Sequence, residues 1–263
     1  MANKLKEIHL RTGVRLRYLD AGPTDGKPLI LLHGYSDSSV SFYPILPLLP
    51  PEWRLIIPDQ RGHGESERSA QGYSPVDLAA DAVALLEQLG VAPVIAVGHS
   101  LGSFVARHMA VIAPERVARL VLVGSAATSR NGVVQSLEPA VQALADPVDV
   151  DFIRQFQASA VYRPIPSGIM DRAVAESRKL PARVWKSVLA GLLDPSLMTE
   201  FSRIQCPVSI LWGDRDAIFG RAEQEELLRL IPGAAFHMFE DVGHTPHWEV
   251  PADFARRLLA EVR

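Results

Sequence analysis

The chain has 263 residues, 48% hydrophobic and 22% charged, with a net charge of −3; this is enough apolar material for one large α/β domain and excludes a disordered chain. Its 27 basic residues against 30 acidic ones, with no long run of one sign, give no footing for nucleic acid or a polybasic membrane contact. The single cysteine, Cys206, excludes an intrachain disulfide and a Cys/His zinc cluster.

The opening residues, MANKLKEIHLRTG, hold no apolar stretch of signal-peptide length. No apolar run approaches the ~18 residues of a transmembrane helix. The expected location is the cytoplasm, with no membrane partner.

In chain order, LKEIHLRTGVRLRYLDAG alternates around Thr12-Gly13 and predicts an antiparallel hairpin at a sheet edge. Short apolar runs follow at Leu29–Leu32, Leu55–Ile57, Val94–Val97, Leu120–Val123 and Val208–Trp212. They do not alternate, as expected of strands covered on both faces in a parallel sheet. Between them, Val76–Leu89 sets Leu78, Ala82, Leu85, Leu86 and Leu89 on one helical stripe, with Gly90 at the stop position. Glu223–Leu230 is a second such helix, and Ala235–Phe239 is the expected last strand. Alternating strands and helices predict a doubly wound α/β fold. From about Ser129 to Glu200 the rhythm breaks. That stretch has six prolines (139, 147, 164, 166, 181 and 195), amphipathic pieces at Phe152–Phe156 and Val184–Leu193, and no convincing strand. It is read as a helical insertion between two strands.

The chemistry-bearing residues sit at strand ends. Gly98-His99-Ser100-Leu101-Gly102 joins an apolar run to the helical pattern of Phe104, Val105, Met109 and Ala110. A G-x-S-x-G between strand and helix holds its serine on a sharp turn, where a Cβ on either glycine would strike backbone. The turn also aims the first N–H groups of the helix at the reacting centre. A serine hydroxyl needs a base, and a base needs an orienting acid. After Val208–Trp212, GDRDAIF offers Asp214 and Asp216. After Ala235–Phe239, EDVGHTPHWE offers His244 and His247. In an open α/β sheet those strand ends meet in one crevice. His33-Gly34 leaves the third strand, so the backbone N–H of Tyr35 and that of Leu101 form a candidate oxyanion pair.

Each of these residues has a plainer reading. Ser100 would serve as a helix N-cap. His99 points away from its neighbour on a tight turn and is read as a brace beside it. His33 and His63 brace glycine-rich loops, and Asp214 hydrogen-bonds its loop beside Arg215. His9, His108 and His237 are surface or packing residues, and Cys206 is a buried, inert thiol.

The segments LLHGYS (31–36), PDQRGHGES (58–66), GHSLGS (98–103), WGDRDAIF (212–219) and DVGHTPHWEVPADF (241–254) together resemble the α/β-hydrolase superfamily, in its lid-bearing serine hydrolase branch. The resemblance implies a mostly parallel eight-stranded sheet with an antiparallel N-terminal hairpin and helices on both faces. Residues 1–128 and 201–263 would form the core and 129–200 a helical lid. It selects Asp216, the second Asp of G-D-x-D, as the acid, and His244 as the base for Ser100. Tyr35, Phe156, Tyr162, Trp185 and Phe219 are the pocket candidates, although plain packing also explains the insertion's aromatics. No metal or organic cofactor is needed.

The implied substrate is a small-molecule ester or lactone, acyl-homoserine lactones and enol-lactones included. Haloalkane dehalogenases and most epoxide hydrolases of this fold carry Asp where Ser100 stands. C–C bond hydrolases typically read G-N-S-M-G instead of G-H-S-L-G, which counts against that activity but leaves it open. Cofactor-free haloperoxidases share the triad and remain open, as does a small-molecule receptor on the same fold.

Overall fold

The computed structural model describes residues 5–197 and 199–262. Strands β1 (Lys6–His9), β2 (Arg15–Ala21), β3 (Lys27–Leu32), β4 (Trp53–Asp59), β5 (Val94–His99), β6 (Val117–Val123), β7 (Val208–Gly213) and β8 (Ala235–Phe239) form one eight-stranded sheet in the order β1-β2-β4-β3-β5-β6-β7-β8. The first hairpin is antiparallel, and β2 also runs antiparallel to β4. Every pairing from β4 to β8 is parallel.

The apolar runs feed both faces by simple alternation. Leu29, Leu31, Ile95, Val97, Val121 and Val123 point into one core cluster. Ile30, Leu32, Val94, Ala96, Leu120 and Leu122 point into the other. Helices α1 (Pro75–Gln88) and α2 (Leu101–Ile112) pack on the second cluster, while α10 (Pro251–Glu261) covers the first through Phe254 and Leu258. Helix α8 (Arg221–Leu230) joins the second cluster through Leu227, and the single turn α9 (Pro246–Glu249) precedes α10. Helix α1 begins where a capping box forms: Ser74 Oγ accepts from Asp77 N, the Asp77 carboxylate accepts from Ser74 N, and Pro75 fills the first turn. It stops at Gly90, whose φ is +65°.

Between β6 and β7 stand α3 (Gly132–Ser136), α4 (Glu138–Gln142), α5 (Val150–Ser159), α6 (Ser167–Ser177) and α7 (Ala182–Leu193). Periodicity singles out α5 and α7 but not the others, whose apolar positions are few. Ile153, Val174, Val184, Trp185 and Leu189 from these helices belong to the same buried cluster as α1 and α2. The insertion therefore shares its hydrophobic core with the sheet. Among the described residues, no helix is long and apolar enough to cross a membrane.

Candidate active site

Ser100 follows β5 directly and begins α2, with φ 50° and ψ −119°. This is the conformation of the first central residue of a type II′ turn, which glycine adopts freely and serine does not. The flanking glycines make it possible. A Cβ on Gly98 would lie 2.1 Å from Gly102 O, and one on Gly102 would lie 2.0 Å from Leu32 O. Ser100 N donates to Val123 O at 3.0 Å, which anchors the turn to β6.

Asp216 and His244 come together from the ends of β7 and β8. His244 Nδ1 donates to Asp216 Oδ2 at 2.8 Å, and both side chains are buried. Asp216 Oδ1 accepts from Ile218 N at 2.8 Å and Phe219 N at 2.9 Å, which fixes the carboxylate. With Nδ1 so engaged, Nε2 carries the lone pair. Nε2 is buried with no hydrogen-bond partner among the described residues, and His244 lines one cavity with Ser100. Asp214 instead accepts from Val242 N at 3.3 Å in its own loop, near Arg215.

His99, the neighbour of Ser100, faces the other way. Its Nε2 donates to the backbone carbonyl of His244 at 3.0 Å, and its ring packs against the His244 and His247 rings. Burial and the two neighbouring imidazoles hold its pKa well below the ordinary histidine range. His247 bonds Ser41 Oγ at 3.1 Å and is fully buried, with its pKa pushed down to about 3. His33 donates from Nδ1 to Gly34 O at 2.9 Å and accepts at Nε2 from Gln60 N at 3.0 Å. His63 donates to Arg61 O at 2.9 Å. Both brace their loops. His237 finds a carboxylate after all, Glu261, at 2.7 Å. His9 is exposed, His108 is buried in α2, and Cys206 is half-buried rather than buried.

The loop after β3 comes close to the serine. A Cβ on Gly34 would sit 3.4 Å from Ser100 Cβ and 3.0 Å from His99 Nδ1. Tyr35 follows, and the N–H groups of Tyr35 and Leu101 have no backbone acceptor among the described residues. The Tyr35 hydroxyl donates to Trp185 O at 2.6 Å.

Two cavities meet at Ser100. The larger, about 580 Å³, is mostly apolar and includes Leu101, Phe104, Val134, Phe156, Leu189 and Phe219. The smaller, about 380 Å³, holds His244, Asp37, Gln157, Thr245 and Trp248. Tyr35 and Phe156 border both cavities, and Phe219 borders the larger. Two pocket expectations are corrected. Trp185 is fully buried behind Tyr35 and Phe156, with ring centroids 5.1 and 5.2 Å away, and lines neither cavity. Tyr162 is 55% exposed beside Arg215, because its backbone is held outward by Glu249.

Sequence reasoning missed several residues that shape the site. Glu249 accepts from the N–H groups of Gly243, Tyr162 and Arg163 and from Thr245 Oγ1. It is the Glu of the G-H-x-x-x-x-E stretch, so its signal was present. Gly124, at φ 51°, lies where a Cβ would come within 3.0 Å of the His244 ring. Ala160 O accepts from His244 N at 3.0 Å; nothing in the sequence marks it. Asp37, 3% exposed, sits in the wall of the smaller cavity. Among the described residues, no group of three or more His, Cys, Asp or Glu is arranged to hold a metal ion.

Residues 27–251 match the alpha/beta hydrolase fold family, and the chain belongs to it. Lipase 1 of Psychrobacter immobilis is 28% identical over 253 residues, covering 92% of this chain and 79% of its own. An esterase from Exiguobacterium antarcticum has the same fold, with a TM-score of 0.87 at 22% identity over 97% of this chain and 98% of its own. Est816, described as an N-acyl homoserine lactone degrading enzyme, has a TM-score of 0.81 at 24% identity over 98% of this chain and 100% of its own.

Proposed function

We propose that the protein hydrolyses carboxylic esters or lactones of small molecules through an acyl-enzyme on Ser100. The observation that carries this is the Asp216–His244 pair, whose buried Nε2 has no hydrogen-bond partner among the described residues and whose imidazole lines one cavity with Ser100. His244 takes the serine proton as Oγ attacks the acyl carbonyl. Asp216 keeps the imidazole in the tautomer that presents Nε2 and stabilises the imidazolium. The N–H groups of Tyr35 and Leu101 hold the oxyanion, a contribution of ~10²–10³ in rate per donor in comparable sites. The leaving alcohol takes its proton from His244, and water repeats the sequence on the acyl-enzyme. No step calls on a metal or organic cofactor.

Residues 129–200 act as a lid over the core formed by 1–128 and 201–263. Val133, Val134, Leu137, Phe156, Leu189 and Leu192 form the apolar roof of the larger cavity. The acyl chain is assigned to this apolar cavity. Lipase 1, similar over most of this chain, lends the ester reading further support. The test is hydrolysis of p-nitrophenyl butyrate and of a γ-lactone panel by wild type and Ser100→Ala. Turnover that vanishes in the variant supports the reading. An inactive wild type, or an equally active variant, overturns it.

A further inference from the structure

The two cavities at Ser100 differ in chemistry, and His244 lines only the smaller. The alcohol of an ester must lie within reach of the imidazole that protonates it. When Ser100 Oγ bonds to the acyl carbon and the bond to the alkoxy oxygen breaks, that oxygen takes the proton from His244 Nε2. The alcohol portion therefore occupies the smaller cavity, and the acyl chain the larger, apolar one.

The smaller cavity is rich in acceptors. Asp37 contributes a carboxyl whose protein partners are Ser38 N at 2.9 Å and the Ser41 hydroxyl. The Gln157 amide donates its N–H groups to Ser177 Oγ at 2.8 Å and Ser36 Oγ at 3.2 Å, leaving its carbonyl oxygen to accept. Trp248 spends its indole N–H on Ser41 O at 2.9 Å and supplies a π-surface to the same wall. No Lys or Arg lines this cavity. Asp37 shares a second pocket with the exposed Arg172, and among the described residues no ion pair joins the two. Burial, together with the charges of Glu176 and Asp59, pushes the Asp37 carboxyl up to about 7. A buried carboxyl with no countercharge, beside an aromatic face and a free carbonyl, is the donor set for an ammonium ion.

We propose that the alcohol portion of the substrate carries a protonated or quaternary amine, received by Asp37, Gln157 and Trp248. This rests on the ester-hydrolase reading and adds to it a substrate class, amino-alcohol esters with an apolar acyl chain.

The test compares two isosteric butyrates, of 2-(dimethylamino)ethanol and of 3-methylbutan-1-ol, each kcat/KM divided by the ester's own hydroxide-catalysed rate. The wild type should prefer the cationic ester by about tenfold or more, the scale of one hydrogen bond to a charge. Asp37→Asn, which keeps the side-chain shape, should bring that ratio close to one. If the variant does not fold, product inhibition of the wild type serves instead: choline should inhibit p-nitrophenyl butyrate hydrolysis at lower concentration than 3,3-dimethylbutan-1-ol. A wild type that favours the neutral ester, or is inhibited equally by both alcohols, overturns the assignment of Asp37 while leaving ester hydrolysis intact. Failure to turn over p-nitrophenyl butyrate at all would instead remove the ester reading, and this proposal with it.

Discussion

The backbone N–H of His244 donates to the carbonyl oxygen of Ala160, the C-cap residue of α5, at 3.0 Å. One residue of the sheet's last loop is thus held by a helix inserted between β6 and β7. The loop after β3, proposed to hold the oxyanion, is tied to the same insertion through Tyr35 Oη to Trp185 O and Ser177 Oγ to Ser36 O at 2.9 Å. In the proposed reading the insertion would both roof the site and set the position of its working parts.

Glu249 is the hub on the His244 side, and removing it should affect rate more than affinity. Glu249→Ala strands the N–H groups of Gly243, Tyr162 and Arg163. A base displaced by about 1 Å costs ~10²-fold in rate. Steady-state kinetics on p-nitrophenyl butyrate should show kcat down by that order with KM within a few-fold. A change confined to KM would contradict the role.

Tyr35→Phe removes a single hydrogen bond between the oxyanion loop and α7. The Trp185 carbonyl is left in a buried setting, so stability should fall by about 1–2 kcal/mol. If the loop then shifts its N–H, kcat should drop about tenfold, less than the ~10²–10³ of losing an oxyanion donor outright. Denaturant unfolding and kcat measured together check this; an unchanged kcat would detach the tyrosine anchor from the oxyanion hole.

The strain at Ser100 predicts a gain of stability on its loss. At φ 50° and ψ −119° a glycine is relaxed where serine is not. Ser100→Gly should be inactive yet more stable by about 1 kcal/mol, which raises Tm by ~2–4 °C in a domain of this size. A lower Tm would mean that the hydroxyl contributes more to folding than the turn costs.

The strands and the turn at Ser100 were legible because each rests on a local rule, whereas the choice of Asp216 over Asp214 and of His244 over His247 came from the family resemblance. Non-alternating apolar runs mark covered strands, and paired glycines around Ser100 mark a turn that only glycine can flank. What escaped the sequence was long-range. Trp185 reads as a pocket aromatic, yet it lies behind Tyr35 because α7 turns its buried stripe toward the core. Tyr162 is drawn outward by Glu249, a partner 87 residues away. Ala160 acts through its carbonyl alone, which no side chain advertises. Asp37 looks like an ordinary loop residue until the fold closes over it.

Acid should destabilise the protein well above the carboxylate range. Burial holds His33 down to about 4, His63 and His247 to about 3, and His99 well below its ordinary value. In the unfolded chain each titrates near ~6.5. Below that pH the unfolded state binds more protons at these four sites, so stability falls as pH falls. Asp37, raised to about 7, acts with the opposite sign between that pH and the unfolded carboxylate range, and Asp59, also raised by burial, acts in the same direction as Asp37. Four histidines outweigh two carboxyls, and Tm should drop by roughly 10 °C between pH 7 and pH 5. A Tm that is flat over that interval would contradict the neutral, buried state of these imidazoles.

The most direct test of the account is the covalent intermediate itself. Wild-type protein mixed with p-nitrophenyl butyrate and quenched in acid within the first turnovers should carry one butyryl group by intact mass, located on Ser100 by peptide mapping. His244→Ala should turn over far more slowly, and Ser100→Ala should carry no adduct. Steady turnover without any adduct on Ser100, or with the butyryl group on another residue, would contradict the central claim.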